Sequence, residues 1–338
     1  MASISRVLRL QRIAFSRAAA SQLGSASFST SSLLRESYPV QSVSSLAPIG
    51  VNAAIQAATD PSVSARPKIF NEFTLSDRVA IVSGGNRGLG LEMAMALCEA
   101  GARAVYCLDL PKESCAEWQA ARDFVARMDH SPRLEYVSCD VTDQKRVWAA
   151  VEEIGDKEKR VDVCVAAAGI LMNHIDCLEY PEDEFRKVMD VNTNGVLFTA
   201  QAAGRQMRRF GIPGSIILVA SMSGSLTNRG HSWVSYNTSK SACLQMARSM
   251  ACELGKEGIR VNSLSPGHIF TALTMQYLDK HPTLLDKWSN LNPMGRIGRP
   301  DELRGVITWL ASDASTFCTG SEYVNFYFSI RQNLTKCS

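Results

Sequence analysis

The run Ser235-Tyr236-Asn237-Thr238-Ser239-Lys240 opens a segment of helical periodicity. It sets a phenol and an ammonium on one helix face, because side chains four apart are neighbours there. That pairing has a chemical use. A free phenol, titrating near ~10, is a poor base at neutral pH. A cation ~4 Å away, at an effective dielectric of ~20, favours the phenolate by about 4 kcal/mol. A Tyr beside a Lys is thus equipped to take a proton from an oxygen and return it. Upstream, the apolar run Ser215-Ile216-Ile217-Leu218-Val219 reads as a buried strand that ends in Ala220-Ser221-Met222-Ser223-Gly224. A serine hydroxyl at that strand end would orient a substrate oxygen and stabilise charge growing on it.

A second constellation lies near the start of the folded part. Val79-Ala80-Ile81-Val82 is a buried-strand signal, followed by Ser83-Gly84-Gly85-Asn86-Arg87-Gly88-Leu89-Gly90 and an Ala/Met/Leu-rich helical pattern. Glycines at 84, 88 and 90 let the backbone turn sharply and approach a pyrophosphate, and the helix N-terminus offers it free N–H groups. This implies a dinucleotide cofactor. Asp109 ends the second strand, where a carboxylate accepts ribose hydroxyls of NAD and repels the extra phosphate of NADP. NAD is therefore favoured. Arg87, inside the glycine loop, argues for NADP.

The spacing Gly-x-x-x-Gly-x-Gly, the strand-end Ser and the Tyr-x-x-x-Lys pair, in that order, resemble the short-chain dehydrogenase/reductase family over roughly residues 73–325. The resemblance implies Tyr236 as acid/base, Lys240 beside it, and a Ser to orient the substrate oxygen. Strand-end alignment selects Ser221; a count back from the Tyr in many members selects Ser223. We take Ser221. Asn192, in Asp190-Val191-Asn192-Thr193-Asn194-Gly195, matches the Asn that holds a water linked to the Lys. Asp140 and Val141 match the pair beside the adenine, although Asp140 also reads as a plain helix cap. Ala168 and Gly169 match the small residues that make room for the nicotinamide ribose, but Ala167 stands where the family has Asn. Pro266, Gly267, Ile269 and Thr271 match the segment that lines the nicotinamide; Asn86 and Leu89 complete the cofactor loop.

The wording of several segments is most similar to fungal polyol/ketose dehydrogenases. This implies interconversion of a secondary alcohol and a ketone in a small-molecule substrate. A mitochondrial 3-oxoacyl-thioester reductase is the runner-up, and a non-catalytic dinucleotide sensor the third reading. Residues 271–298 are expected to fold over the substrate, and carry Met275, Tyr277, Trp288 and Met294.

The elements that must position these groups follow from the periodicity. β-like runs at 79–82, 104–108, 134–138, 161–166, 215–220 and 259–264 alternate with helical patterns at 89–100, 144–157, 183–209 and 236–254. Strands alternating with helices imply one Rossmann-type, doubly wound parallel sheet flanked by helices, here over residues 73–338. Apolar stripes on two helices, Val196, Ala200, Ala203 and Met246, Met250, suggest a homodimer or homotetramer.

Ahead of that domain, residues 1–35 hold Arg6, Arg9, Arg12, Arg17 and Arg35 and no acid. That is the composition of a mitochondrial transit peptide, so the matrix is the expected compartment and the cytoplasm the alternative. Residues 36–72, with Pro39, Pro48, Pro61 and Pro67, read as a linker or arm. A net charge of +3, concentrated in the leader, gives no case for nucleic-acid binding, and no apolar run approaches the ~18 residues of a membrane span. The ten cysteines form no Cys-x-x-Cys pair and no zinc-like cluster; they read as buried small hydrophobes and imply no metal. At the other end, relatives close with an Asp-Gly-Gly turn. This chain instead reads Asn325-Phe326-Tyr327-Phe328, whose bulky residues resist positive φ, so this tail is expected to fold or assemble poorly.

Overall fold

The computed structural model describes residues 48–325, apart from 64 and 229. The expected leader, the start of the arm and the tail after 325 lie outside the described residues. Within the arm, Gly50–Thr59 forms helix α1, and none of its residues is buried.

Seven strands form the sheet: β1 (Val79–Ser83), β2 (Ala104–Asp109), β3 (Arg133–Ser138), β4 (Val163–Ala166), β5 (Ser215–Val219), β6 (Arg260–Pro266) and β7 (Glu322–Asn325). Their order is β3-β2-β1-β4-β5-β6-β7, and every pairing is parallel. Chain order reverses between β1 and β4. A crevice opens at the carboxyl ends of strands at such a point, and ligands bind there. Because Ser83 pairs with Ala166, the glycine loop after β1 and Ala168-Gly169 after β4 emerge side by side.

The helices are α2 (Gly88–Glu99), α3 (Ala116–Val125), α4 (Gln144–Glu158), α5 (Glu182–Met189), α6 (Val196–Phe210), the single turn α7 (Met222–Ser225), α8 (Val234–Leu254), α9 (Ala272–Lys280), α10 (Thr283–Leu291) and α11 (Arg304–Ala311). They cover both sheet faces, which is why the strands are apolar without alternation. Val79 and Ile81 point into one core, with residues of α4, α6 and α8; Ala80 and Val82 point into the other, with residues of α2 and α11.

The helical pattern at 183–209 is interrupted. A π-turn over Asp190–Gly195 joins α5 to α6. Such bulges gather at functional sites. Here Gly195 is pressed on Val141: a Cβ on it would stand 2.7 Å from Val141 Cγ2.

Two expectations change. Val196, Ala200 and Ala203 are fully buried in the core under α6, and Met246 and Met250 pack partly against the same core. The α6 stripe is consumed by the fold, so it carries no argument for a subunit interface, whereas Met246 and Met250 keep part of their surface. The segment 271–298, expected as a covering loop, contains two helices, α9 and α10. The cysteines behave as read only in part: Cys107, Cys139 and Cys164 are buried, and burial pushes the Cys107 and Cys164 thiols up to about 12, whereas Cys177 and Cys252 are exposed. No described helix is long and apolar enough to cross a membrane, and no metal-ligating cluster occurs among the described residues.

Candidate active site

The glycine loop has the shape of a phosphate cradle. Gly84 and Gly88 take φ of +69° and +59°, a region that side chains rarely adopt. A Cβ on Gly90 would fall 2.0 Å from the Gly84 carbonyl oxygen, so α2 meets the loop backbone to backbone. Beside Gly88 a Cβ would meet nothing, which leaves open space where the phosphates belong. A dinucleotide therefore fits this loop. Arg87 is exposed at the N-cap of α2, with no ion pair to any described residue. Leu89 packs partly against the α2 core, while Asn86 is buried and its side chain accepts the Cys115 N–H at 2.9 Å. Asn86 thereby braces the loop against the start of α3.

Asp109 sits half-buried at the end of β2, and Leu108 is fully inside the core. The Asp109 carboxylate accepts the Asn86 N–H at 3.0 Å and the Leu110 N–H at 2.8 Å. It holds the cradle's shape and keeps further lone pairs for a ligand. Asp140 accepts the Thr142 N–H and hydroxyl, whereas Asp143 caps α4. The plain cap reading of Asp140 is thus taken over by its neighbour three residues on. The cross-sheet contact expected from the absent Asn is made by Ser83, which accepts the Ala167 and Ala168 N–H groups at its carbonyl and hydroxyl.

At the far side of the crevice, Lys240 is buried, and its Nζ donates to the Val219 carbonyl at 2.9 Å. The same Nζ stands 5.7 Å from the centre of the Tyr236 ring. A Cβ built on Gly169 would lie 3.4 Å from Lys240 Nζ and 3.5 Å from Asn192 Oδ1, so these three residues meet at the end of β4. Asn192 Oδ1 accepts the Ile170 N–H, and its Nδ2 donates to the Ile170 carbonyl and to Ser239 Oγ. The π-turn frees the Asn192 carbonyl, which accepts the Cys243 thiol at 3.1 Å. Asn192 thus clamps the β4 loop to the helix that carries Tyr236 and Lys240.

Ser221 caps α7, its hydroxyl accepting the Ser223 N–H at 3.1 Å. Ser223 Oγ accepts from Asn228. Both serines and Tyr236 line one cavity of about 100 Å³. Gly267 lines it too, at the end of β6. Beyond it, Ile269 is buried and bridges to Gly298, while Thr271 caps α9 through Thr274.

Further lining residues escaped the sequence reading. Trp233, His268, Thr274 and Leu171 join the expected Tyr277 and Trp288 around the cavity. Met275 and Met294, expected there, are exposed instead. Trp233 stands one helical turn before Tyr236, the only sequence cue it offered.

A family model described as enoyl-(acyl carrier protein) reductase matches residues 84–325. A sorbose reductase of Schizosaccharomyces pombe is 38% identical over 256 residues, covering 75% of this chain and 95% of that protein. A galactitol 2-dehydrogenase (L-tagatose-forming) of Cereibacter sphaeroides is 35% identical over 249 residues, covering 74% and 93%. Among solved structures, a gluconate 5-dehydrogenase of Burkholderia cenocepacia in complex with NADP and tartrate superposes with a TM-score of 0.69 at 30% identity, covering 75% and 96%. With its cradle, its cavity lined by Ser221 and Tyr236 with Lys240 buried nearby, and these relatives, the chain belongs to the short-chain dehydrogenase/reductase family of NAD(P)-dependent oxidoreductases acting on CH–OH groups.

Proposed function

We propose that the protein interconverts a polyol and a ketose, in the mitochondrial matrix, with NAD as the favoured cofactor. The observation that carries this reading is the shared cavity: Ser221, Tyr236 and the cluster of small and aromatic walls form a pocket of about 100 Å³, sized for a small molecule. The sorbose and galactitol relatives support the substrate class. Asp109 supports NAD, since a carboxylate at the cradle's rim disfavours a further phosphate. The Arg-rich, acid-free start of the chain supports the compartment. Family membership supports a homodimer or homotetramer.

In the oxidation direction, Tyr236 as phenolate accepts the substrate hydroxyl proton while the hydrogen on carbon departs as hydride. Nicotinamide, when bound, supplies the acceptor for that hydride. Ser221 Oγ already accepts an N–H, so its own proton is free to be donated to the substrate oxygen. Lys240 places positive charge behind the phenolate. In reduction Tyr236 gives the proton back.

The experiment is a turnover panel of neutral polyols, ketoses and 3-oxoacyl thioesters with each cofactor. Turnover confined to the thioesters would replace this reading with the thioester reductase, and no turnover with intact cofactor binding would point to a sensor.

A further inference from the structure

Part of the cavity wall is aromatic. Tyr277 and Trp288 stack parallel, 6.0 Å apart at 4°, and Trp233 lies 5.7 Å from Tyr277. Each tryptophan is braced by an imidazole: His231 stacks on Trp233 at 4.4 Å, and His268 on Trp288 at 3.9 Å. Burial holds both imidazoles neutral, at about 4 for His231 and about 3 for His268. Lys287 adds to the effect on His231. That lysine is solvent-exposed beside Gly230, outside the lining. Among the described lining residues there is no cation.

Among these stacked rings one buried polar atom has no partner. Trp233 is 6% exposed, and its buried Nε1–H finds no acceptor. A buried donor left unsatisfied is destabilising, and a ligand oxygen that accepts from it recovers that cost. Trp233 lines the cavity one helical turn from Tyr236, with ring centres 6.4 Å apart. A group bonded to the indole would therefore belong to the same molecule whose oxygen meets Tyr236, but to a carbon further along it.

We propose that Trp233 is a specificity-determining residue. Its indole N–H donates to a hydroxyl remote from the reacting carbon, and the cation-free aromatic box admits that end of the substrate only when it is uncharged. A carboxylate or phosphate in the same place would be buried without a counter-ion, which is strongly unfavourable. The enzyme then takes neutral polyols and ketoses and rejects aldonates and sugar phosphates of the same length. This inference rests on the polyol reading above and narrows it.

The test uses the full-length enzyme, the polyol that turns over fastest in the panel, its analogue lacking the distal hydroxyl, and its distally phosphorylated and carboxylated counterparts. Trp233→Phe keeps an aromatic ring and removes the N–H with the five-membered ring. It should lower kcat/KM for the parent polyol about 10-fold, mostly through KM, and leave the deoxy analogue within about twofold of wild type. Wild type should favour the parent over either charged counterpart by at least about 100-fold. Equal losses on parent and deoxy analogue, or charged counterparts turned over as well as the parent, would overturn the proposal while leaving polyol oxidation standing. Turnover of thioesters and of no polyol would overturn both together.

Discussion

Gly90→Ala tests the cradle where it is tightest. The added methyl would sit 2.0 Å from the Gly84 carbonyl oxygen and 2.7 Å from its carbonyl carbon. Ordinary contact begins near ~3.5 Å, so helix and loop must part by about 1.5 Å. Gly84 has nowhere to go, because its own Cα side is closed by the Ala168 backbone, 2.8 Å from where a Cβ would be. Overpacking of this kind costs about 1–3 kcal/mol, and the strain falls on the loop that binds phosphate. At 1.4 kcal/mol per decade, cofactor affinity should weaken by about 10- to 100-fold. The control is Gly305→Ala in α11, where a Cβ meets nothing and φ is ordinary; it should bind cofactor as wild type does. Titration of bound NADH by fluorescence reads both, with thermal melting as a check on folding. Wild-type affinity in Gly90→Ala would mean that the α2–loop approach is not what shapes the site, and the cradle argument would fail.

Tyr236→Phe removes only the acid/base proton, so kcat should fall by at least ~10³ while cofactor still binds; near-normal turnover would sink the catalytic assignment. NAD should bind more tightly than NADP in parallel titrations, and Asp109→Ala should narrow the gap; a preference for NADP would hand the decision to the exposed Arg87 at the cradle's rim. Fused to a fluorescent reporter, residues 1–45 should carry it into mitochondria, and a cytosolic reporter would refute the leader. Burial holds His268 neutral, at about 3 against its ordinary 6.5. The unfolded chain therefore takes up the proton first, and stability falls as pH drops from about 6.5 toward 3. At pH 5 the loss is about 2 kcal/mol, so the melting temperature of His268→Phe should decline less with acid than that of wild type.

What the sequence revealed depended on how local the physics was. β1, the glycine loop and α2 could be read directly, because a buried parallel strand, a turn at positive φ and a helix start each leave a signature within a few residues. Tyr236 and Lys240 were legible for the same reason: helical spacing alone puts them on one face. The stripe on α6 was visible but misassigned. Val196, Ala200 and Ala203 are apolar whether they face a partner or their own sheet, and pattern cannot choose between those neighbours.

The aromatic wall was hidden for a different reason. Trp233, His268 and Trp288 come from the start of α8, the end of β6 and α10, and only the folding of α9 and α10 over the crevice brings them together. No residue among them advertises its partner. Their joint effect is chemical all the same: imidazoles that would be half-charged near pH 6.5 in water are kept neutral by the rings they brace. The catalytic end of the cavity is thus built by short-range rules shared across the family, with Ser221, Tyr236 and Lys240 set by one strand end and one helix. The aromatic end is built by long-range contacts. On the proposal made above, selectivity resides in the covering helices, and a change in α10 that moves Trp288 should alter which alcohols enter without altering how they are oxidised.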